Sequence, residues 1–456
     1  MSADKYEDEY RIFSQCSIAV IGVGYVGLHL LTTFAKTKSC VLTNKPLNRK
    51  VIGFDINQSR IEELKSHKDR TNSVGESEIE DCRNNLIFTC NKNEISEANI
   101  FIITVPTPIN ENKDPDLTFI QKATEIVGDT INKNFLEQKN SNIKPLIIYE
   151  STVYPGVTDD ICIPIIEKIT NKKINQDFLV GYSPERINPG DKKNTLTSII
   201  KVTSGSNKEA SRKVDYLYKS IIKAGTHNAS SIKIAEASKV IENTQRDLNI
   251  AFVNELSIIF KTLNIPTLEV LEAAKTKWNF LDFRPGLVGG HCIGIDPYYL
   301  KFKSKQMGIS PRLVSSVRQI NNGMARWIVD QLIIEMAKKR LVIGGTKVLI
   351  LGYSYKENCA DHRNSRVFDM INALKIYGLE YEIVDPYVDS AACKRDYAIE
   401  ILNEIPNYRY SAVIAAVGHD IFRSITLENW KKLIINNGII FDIKGICPKN
   451  LPVLKI

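Results

Sequence analysis

The sequence predicts an α/β fold with two doubly wound domains joined by a long central helix. Short apolar segments alternate with helix-like segments near the N-terminus, and the same alternation returns after residue 347. Between them, Ser231–Leu263 contains neither Gly nor Pro and is rich in Ile, Ala, Leu and Phe. Alternating strands and helices form parallel sheets, and a long uninterrupted segment of this composition forms a helix.

The elements follow from apolar runs and the residues that bound them. Strands are expected at Ser17–Val23, Lys50–Asp55, Ile100–Val105, Pro145–Tyr149, from Lys347 onward, Tyr381–Val384, Ala412–Val417 and Ile439–Ile443. Helices are expected at Leu28–Ala35, around Ile61–Leu64 and at Ser231–Leu263, which Pro266 follows as a helix stop. The polar stretches Lys36–Arg49 and Asn132–Lys144 lack periodicity, so we expect surface loops there.

Four regions follow from this reading. Residues 1–11 form a polar tail, 12–212 the first α/β domain, 213–328 a central helical domain, and 329–456 the second, smaller α/β domain.

The composition excludes several classes of protein. The formal charge is +8, but the basic residues are scattered, so we expect no nucleic acid partner. Nine cysteines without a Cys-x-x-Cys pair indicate neither a disulfide framework nor a zinc site, and we expect no metal. The charged start Met1–Ile12 is unlike a secretory signal, and no apolar run approaches the ~18 residues of a membrane span. We therefore expect a cytoplasmic protein with reduced thiols.

A cofactor site is predicted where the first strand meets the first helix. Gly22, Gly24 and Gly27 form Gly-x-Gly-x-x-Gly in the strand-to-helix context of a Rossmann domain, where a pyrophosphate lies at the helix N-terminus. Asp55 ends the next strand, where a carboxylate binds ribose hydroxyls. Since an acid would repel a 2′-phosphate, NAD is favoured over NADP, although Arg60 weakens this preference.

Two further patterns suggest chemistry without deciding it. Cys292 is flanked by Gly290 and Gly294, with Asp296 four residues on, but a lone cysteine is more often a core residue. Lys239, Asn243 and Arg246 share one face of the long helix. Such a row of donors suits an oxyanion or a phosphate, or else is a solvated face.

Seven motifs in order give the chain a resemblance to the UDP-glucose/GDP-mannose dehydrogenase family over nearly its whole length. They are GVGYVG from Gly22, VPTP from Val105, ESTVYPG from Glu150, SPERINPG from Ser183, AEASKVIEN from Ala235, PGLVGGHCIGIDPYYL from Pro285 and GYSYKENCADHRNSR from Gly352. This resemblance implies that both α/β domains are Rossmann-like, the first binding NAD and the second the UDP-sugar. It also makes Cys292 the catalytic nucleophile.

The residues after Cys292 resemble one branch of that family. Ile293-Gly294-Ile295 stands where UDP-glucose dehydrogenases carry Phe-Pro-Lys, and the ending Asp-Pro-Tyr-Tyr-Leu is more similar to enzymes of UDP-N-acetylglucosamine or UDP-N-acetylgalactosamine than to those of UDP-N-acetylmannosamine. Two departures from the family pattern are Ala360, where Pro is more usual, and the polar insert after the first helix.

The resemblance implies an NAD-dependent, four-electron oxidation of the sugar C6 alcohol to a uronic acid, for polysaccharide precursor synthesis. The Cys292 thiolate adds to an aldehyde, and a thioester forms and is hydrolysed. Implied catalytic residues are Cys292, Lys239, Asn243, Asp296, Glu185 and Thr152. Implied cofactor contacts are Gly22, Gly24, Tyr25, Val26, Gly27, Asp55, Arg60, Thr107, Thr152 and Arg363.

Implied substrate contacts are Arg186, Ile187, Lys239, Asn243, Arg246, Gly286, Tyr355, Lys356 and Lys444. By the same resemblance, the long helix is the seam of a homodimer or higher oligomer. Three alternatives stay open at this point: a UDP-glucose 6-dehydrogenase, a catalytically silent nucleotide-sugar-binding protein, and a single-step NAD alcohol dehydrogenase.

Overall fold

A computed structural model describes residues 7–71, 73–137, 143–187 and 194–456. The chain divides into two compact units. The first unit contains Met1–Glu242 and Tyr298–Lys303, and the second contains Asn243–Pro297 and Ser304–Ile456. The division therefore lies inside the region 213–328 that the sequence assigns to a central domain.

An eight-stranded sheet forms the centre of the first unit. Its strands are β1 Ser17–Ile21, β2 Lys50–Phe54, β3 Leu86–Thr89, β4 Ile100–Ile103, β5 Leu146–Tyr149, β6 Leu179–Tyr182, β7 Lys201–Gly205 and β8 Thr226–Asn228. Their order is β3-β2-β1-β4-β5-β6-β7-β8. The chain thus reverses its winding direction between β1 and β4, which is where doubly wound sheets bind ligands.

One pair of strands departs from the parallel sheet that the sequence predicts. β6 and β7 are antiparallel, with Gly181 opposite Gly205. Parallel neighbours need a long crossover, usually a helix. Antiparallel neighbours need no such crossover, and the described part of the connection between β6 and β7 contains no helix.

The helices of the first unit cover both faces of this sheet. They are α1 Glu7–Phe13, α2 Tyr25–Lys36, α3 Gln58–Lys65, α4 Glu76–Glu80, α5 Thr118–Leu136, α6 Ile163–Thr170 and α7 Lys208–Lys219. A 3₁₀ turn forms at Lys92–Glu97 and a π turn at Thr158–Cys162. Helix α1 occupies part of the expected polar tail, and its buried Glu9 pairs with Arg212 at 2.5 Å.

Both predicted surface loops need correction. Helix α5 continues to Leu136, because Ile131 packs in the core and the buried Asn134 donates a hydrogen bond to the Ser96 carbonyl at 2.8 Å. Residues 138–142 lie outside the described part. In the segment Lys36–Arg49, Cys40, Leu47 and Arg49 are buried rather than exposed.

The predicted long helix is confirmed to within one residue at each end. Helix α8 runs through Ile232–Thr262, and the division between the two units lies inside it, after Glu242.

A five-stranded parallel sheet forms the centre of the second unit. The elements that follow α8 in the chain are α9 Thr267–Lys275, α10 Asp296–Gln306, α11 Arg312–Lys338, β9 Lys347–Leu351, α12 Val367–Ile376, β10 Glu380–Val384, α13 Ser390–Tyr397, β11 Tyr410–Ala415, α14 Asp420–Arg423, α15 Leu427–Lys432, β12 Ile434–Asp442 and β13 Leu454–Lys455. The middle of α10, Tyr298–Lys303, belongs to the first unit. The strand order β10-β9-β11-β12-β13 confirms the second doubly wound domain. Among the described residues, no helix has both the length and the apolar character needed to cross a membrane.

Candidate active site

The glycine motif forms a tight turn between β1 and α2. Gly22 has a φ of +97°, which favours glycine, and its carbonyl accepts a hydrogen bond from Thr104 Oγ1 at 2.7 Å. A Cβ on Gly27 would collide with the Gly22 carbonyl. At Gly24 a Cβ would meet no atom of the described chain within 4 Å, so the backbone is open to a ligand. Tyr25 and Val26 follow, half-buried, in the first turn of α2.

Asp55 lies beside this turn, as predicted. Its Oδ2 accepts a hydrogen bond from the backbone N–H of Val23 at 2.8 Å, and the carboxylate is half-exposed. Arg60 is close by, but its side chain is only 6% exposed and is held by three partners. It donates to the Val23 carbonyl at 3.0 Å and pairs with Glu63 at 2.6 Å and Asp69 at 2.8 Å. Arg60 therefore braces the turn, and its predicted contact with the cofactor stays a prediction.

Thr107 and Thr152 are joined at the ends of β4 and β5. Thr107 Oγ1 donates a hydrogen bond to the Thr152 carbonyl at 2.6 Å, and Tyr299 of α10 donates to the Thr107 carbonyl. Because parallel strands end at one edge of the sheet, these threonines lie on the same edge as the glycine turn.

Glu185, Arg186 and Ile187 follow β6 at that edge. Glu185 Oε1 accepts hydrogen bonds from the backbone N–H groups of Arg186, at 2.6 Å, and Ile187, at 2.5 Å. The exposed Arg186 pairs with Glu242 of α8 at 2.7 Å. Glu185 is 7% exposed, so its carboxylate is fixed and largely dry.

The donor row on α8 is partly buried. Lys239 is 8% exposed and Asn243 6%, whereas Arg246 is exposed. Lys239 belongs to the first unit, and Asn243 and Arg246 belong to the second. A mainly solvated face is excluded for the first two side chains.

The Cys292 loop is the centre of the candidate site in the second unit. Cys292 is exposed, and its carbonyl accepts the backbone N–H of Asp296 at 2.9 Å. Asn243 Nδ2 donates to Asp296 Oδ2 at 2.6 Å, and Asp296 is 2% exposed. The thiol thus stands at the surface of a loop that the buried Asn243–Asp296 pair anchors.

Glycines let this loop pack closely on its neighbours. Gly290 has a φ of +83°, and a Cβ there would lie 2.6 Å from the Tyr355 ring. Gly286 is bound through both backbone groups by Asn254, which accepts its N–H at 2.7 Å and donates to its carbonyl at 3.0 Å. A Cβ on Gly286 would lie 3.6 Å from Lys444 Nζ.

A cleft with an empty volume of about 320 Å³ lies in the second unit and is lined by three predicted substrate residues, Tyr355, Lys356 and Lys444. Burial lowers the pKa of Lys444, against the opposing charge of Glu357. Gly289, which precedes the thiol by three residues, also lines the cleft. Half-buried ammonium groups in a cleft of this size suit a phosphate-bearing ligand.

Arg363 lies on the loop beyond the cleft. Its guanidinium forms two hydrogen bonds with Asp361, at 2.9 and 2.8 Å. Burial raises the pKa of Asp361, but the bonds from Arg363 and the neighbouring His291 outweigh it and hold that pKa below its usual range. The predicted contact of Arg363 with the cofactor stays a prediction.

Sequence reasoning missed two groups of residues. Arg366 lines the cleft, donates to the Val288 carbonyl at 3.2 Å, and ends the seventh motif, so a signal was present. Glu150 and Lys201 form a buried pair at 2.7 Å in contact with Glu185. A lysine at the first residue of a strand looks like any surface lysine, and no sequence signal marks Lys201.

The residues present fit the cofactor and the chemistry that the motifs imply. The open backbone at Gly24 and the carboxylate of Asp55 fit a dinucleotide with free ribose hydroxyls. In the second unit, an exposed thiol on a loop anchored by a buried amide–carboxylate pair suits the formation of a covalent acyl intermediate. In the first unit, the buried ammonium of Lys239 is a donor that suits an oxyanion. Among the described residues, no group of His, Cys, Asp and Glu could hold a metal ion.

Comparisons with known proteins agree with this geometry. Residues 16–222, 233–323 and 349–449 match the NAD binding, central and UDP binding domains of the UDP-glucose/GDP-mannose dehydrogenase family. A UDP-N-acetyl-D-glucosamine 6-dehydrogenase of Salmonella typhi is 48% identical over 95% of the chain and 97% of its own length. One from Pseudomonas aeruginosa is 46% identical over 96% of the chain and 99% of its own length. The solved UDP-D-ManNAc dehydrogenase of Pyrococcus horikoshii superposes with a TM-score of 0.84, at 26% identity over 96% of the chain and 99% of its own.

Proposed function

The chain belongs to the UDP-glucose/GDP-mannose dehydrogenase family, and we propose that it oxidises C6 of a UDP-N-acetylhexosamine, foremost UDP-N-acetylglucosamine, from alcohol to carboxylate. NAD is the oxidant and Cys292 the covalent nucleophile. The observation that carries the proposal is the exposed Cys292 thiol on a glycine loop anchored by Asn243 and Asp296.

Relatives support this choice of sugar. The two enzymes named for UDP-N-acetyl-D-glucosamine share 48% and 46% identity with the chain, against 26% for the enzyme named for UDP-D-ManNAc. The Ile293-Gly294-Ile295 sequence after the nucleophile points to the same branch. The carboxylate product would serve as a precursor for polysaccharide synthesis.

The chain's residues divide the work of the reaction. The Gly22–Gly27 turn and Asp55 hold NAD, which supplies a two-electron acceptor for each oxidation. Once C6 is an aldehyde, the Cys292 thiolate adds to it and gives a thiohemiacetal, which is oxidised to a thioester. Water then attacks the thioester carbon, and the carboxylate and the Cys292 thiolate separate.

Lys239 and Asn243 stabilise the oxyanion that forms when thiolate or water adds to C6, and Lys239 exchanges its proton. Losing one such donor typically costs ~2.7–4 kcal/mol of transition-state stabilisation. Asp296 and Glu185 orient and deprotonate the hydrolytic water, and Thr152 lies against the reacting carbon. These proposed roles rest on the burial of Lys239, Asn243 and Glu185 and on the anchored Asp296.

The nucleotide is bound in the second unit. Lys356 and Lys444 neutralise the diphosphate, and Tyr355 and Gly286 line its site. Arg186, Ile187 and Arg246 contact the sugar nucleotide, and Arg363 contacts the cofactor. An enzyme that uses NAD and a free thiol would suit the reducing environment of the cytoplasm.

The proposed oligomer is a homodimer built on α8. Ile241, Phe252 and Ile259 are about half-exposed, at 55%, 53% and 47%, and their spacing puts them on one face of the helix. Exposed apolar stripes of this kind mark protein interfaces. Phe252→Glu should convert the dimer to monomer in light scattering.

A substrate panel tests the proposed function. UDP-N-acetylglucosamine, UDP-N-acetylgalactosamine, UDP-N-acetylmannosamine and UDP-glucose are supplied with NAD, and NADH and carboxylate are both measured. We expect the highest kcat/KM for UDP-N-acetylglucosamine, with two NADH per carboxylate. A one-to-one ratio would indicate a single-step alcohol dehydrogenase, preference for UDP-glucose would overturn the choice of sugar, and no NADH with any sugar would indicate a silent protein.

Cys292→Ser tests the covalent step. We expect carboxylate formation to fall by at least about a thousandfold, since the variant lacks the nucleophile. Cys447→Ser, at a half-buried cysteine of the same unit, is the matched control and should keep its activity. Carboxylate formation at the wild-type rate by Cys292→Ser would refute the thioester.

A further inference from the structure

A buried ionic cluster lies behind Glu185 in the first unit. Lys201 is the first residue of β7 and its side chain is 1% exposed. Glu150 follows the end of β5 and its side chain is 0% exposed. Charged groups are almost never this dry unless they are paired, so their retention in the core calls for a reason.

The cluster is connected throughout. Lys201 Nζ donates to Glu150 Oε2 at 2.7 Å, to the Pro184 carbonyl at 3.1 Å and to Glu185 Oε2 at 3.5 Å. The Tyr218 hydroxyl donates to the other oxygen of Glu150, and Lys201 Nζ lies 5.2 Å from the centre of the Tyr218 ring. All three protons of the ammonium therefore have acceptors.

Glu185 joins this cluster to the candidate active site. Its Oε1 accepts two backbone N–H groups, at 2.6 and 2.5 Å, while its Oε2 faces Lys201. The carboxylate plane is thus fixed from both sides. The acid and base groups that act on it are Glu150 of the β5 end, Lys201 of β7, Tyr218 of α7 and, at longer range, His29 of α2.

We propose that Lys201 is a positioning residue for the hydrolytic step: it holds the Glu185 carboxylate in one orientation, so that Glu185 can take a proton from the water that attacks the Cys292 thioester. This inference rests on the proposed function. Its physical basis is the balance of charge, because two carboxylates and one ammonium share a dry site. Without the ammonium, two carboxylates would repel each other and one would take up a proton.

Two variants move this balance in opposite directions. Lys201→Met removes the cation, so the pair of carboxylates should hold a proton to higher pH. Glu150→Gln removes the competing carboxylate, so Lys201 should pair more fully with Glu185. We expect the acid limb of the kcat profile to move up by about one pH unit or more in the first variant and down in the second.

Impaired hydrolysis should also be visible as accumulation of the covalent intermediate. In Lys201→Met the two oxidations precede the impaired step, so a burst of two NADH per site should be followed by turnover about 10- to 100-fold slower than in the wild type. Mass spectrometry of acid-quenched enzyme should show the sugar nucleotide bound to Cys292. kcat/KM for NAD and for the UDP-sugar should stay within about twofold, because the impaired step follows both oxidations and Lys201 touches neither ligand.

Lys50→Met is the matched control. Lys50 is also the first residue of a strand of this sheet and also pairs with a glutamate, Glu97, but both side chains are exposed. It should leave turnover, pH profile and intermediate unchanged.

Loss of one partner from a buried pair can prevent folding. The double variant Lys201→Met/Glu150→Gln removes both charges and should fold, yet Glu185 still lacks its cation. We expect the intermediate to accumulate there too, with the acid limb above that of the wild type. Wild-type turnover, pH profile and intermediate level in this variant would overturn the inference. So would equal loss of activity in both single variants without opposite pH shifts.

Measurements on the wild type distinguish a failure of this inference from a failure of the proposed function. If it forms carboxylate with two NADH while Lys201→Met behaves identically, the inference fails and the proposed function stands. If it forms no carboxylate from any UDP-sugar, the proposed function fails and takes the inference with it.

Discussion

The two doubly wound units share one backbone arrangement after their first strand, and this arrangement has a different environment in each. In each, the first strand ends at a glycine with positive φ, +97° at Gly22 and +91° at Gly352. In each, an aspartate follows the next strand in the chain and accepts the backbone N–H of the residue after that glycine. Both hydrogen bonds, to Asp55 and to Asp385, are 2.8 Å long.

The two aspartates differ in what covers them. Asp55 is half-exposed, whereas Asp385 is 0% exposed and also accepts the backbone N–H of Ser354 at 2.9 Å. His419 Nε2 lies 3.0 Å from Asp385, and His419 Nδ1 accepts the backbone N–H of Asn358 at 2.8 Å. Because Nδ1 is the acceptor, Nε2 is the nitrogen that donates to Asp385.

The comparison shows how one fold yields two kinds of site. In the first unit the half-exposed carboxylate keeps lone pairs free for the predicted contact with ribose hydroxyls. In the second unit His419 fills that place, and Asp385 and His419 together hold the loop that carries Tyr355 and Lys356 into the cleft. The equivalent aspartate is thus partly open to solvent in the first unit and a buried structural support in the second.

The largest expected effect comes from removing that support. Asp385→Ala leaves two buried N–H groups and the His419 proton without an acceptor and should cost about 3–5 kcal/mol of unfolding free energy. Asp55→Ala removes a half-exposed acceptor and should cost about 1 kcal/mol. Urea unfolding of both variants measures the difference, and equal costs would break the comparison.

A smaller effect is expected from pH. Burial raises the pKa of Asp385, but the hydrogen bonds from His419, Ser354 and Tyr353 outweigh it, so the folded pKa lies below the unfolded value of about 3.9. Its stabilisation is therefore complete above that pH and is lost as the pH falls through the folded pKa. Thermal unfolding from pH 7 to pH 3 should show the gap between wild type and Asp385→Asn narrowing below about pH 4. A constant gap would contradict this.

The affinity for NAD should depend on Asp55 and not on Asp385. Asp55→Asn should raise KM for NAD about tenfold, through loss of a charged acceptor for the ribose hydroxyls, and leave KM for the UDP-sugar within about twofold. Steady-state kinetics with each ligand varied in turn measures both constants. An equal rise in the two would show that Asp55 acts through the fold.

The smallest expected effect concerns cofactor choice. Asp69 and Glu63 hold the Arg60 guanidinium, so Asp69→Asn should free it in part and raise the NADP-to-NAD ratio of kcat/KM about threefold. Asp81→Asn, at an exposed aspartate of the same unit, is the control. No change in the ratio would show that Glu63 and the Val23 carbonyl suffice to hold Arg60.

Much of the fold could be predicted because apolar runs and glycine turns are local signals. The glycine motif, the second strand with Asp55 and the long helix α8 all lie where the sequence places them. The last turn of helix α5 was predicted to be part of a surface loop, because the stretch Asn132–Lys144 is polar. Tertiary contacts keep that turn helical, because the buried Asn134 donates a hydrogen bond to the Ser96 carbonyl.

The site divides in the same way. Cys292 and Asp296 could be found because their motif is contiguous in the chain. The contrast between Asp55 and Asp385 could not, because both follow a strand and only the fold brings His419, 34 residues farther on, against the second. Lys201 was missed for the same reason, since its partners Glu150 and Glu185 are set by strand order.

The contact between Gly290 and Tyr355 ties recognition to reactivity. Since the Tyr355 ring lies against the backbone two residues before the sulfur, a ligand that settles on that ring also steadies the nucleophile. A free hexosamine, with no diphosphate or uridine to fill the cleft, brings the same alcohol without this support. Trimming the substrate should therefore slow turnover at saturation and not merely weaken affinity, because binding energy far from C6 is spent on aligning the reacting atoms.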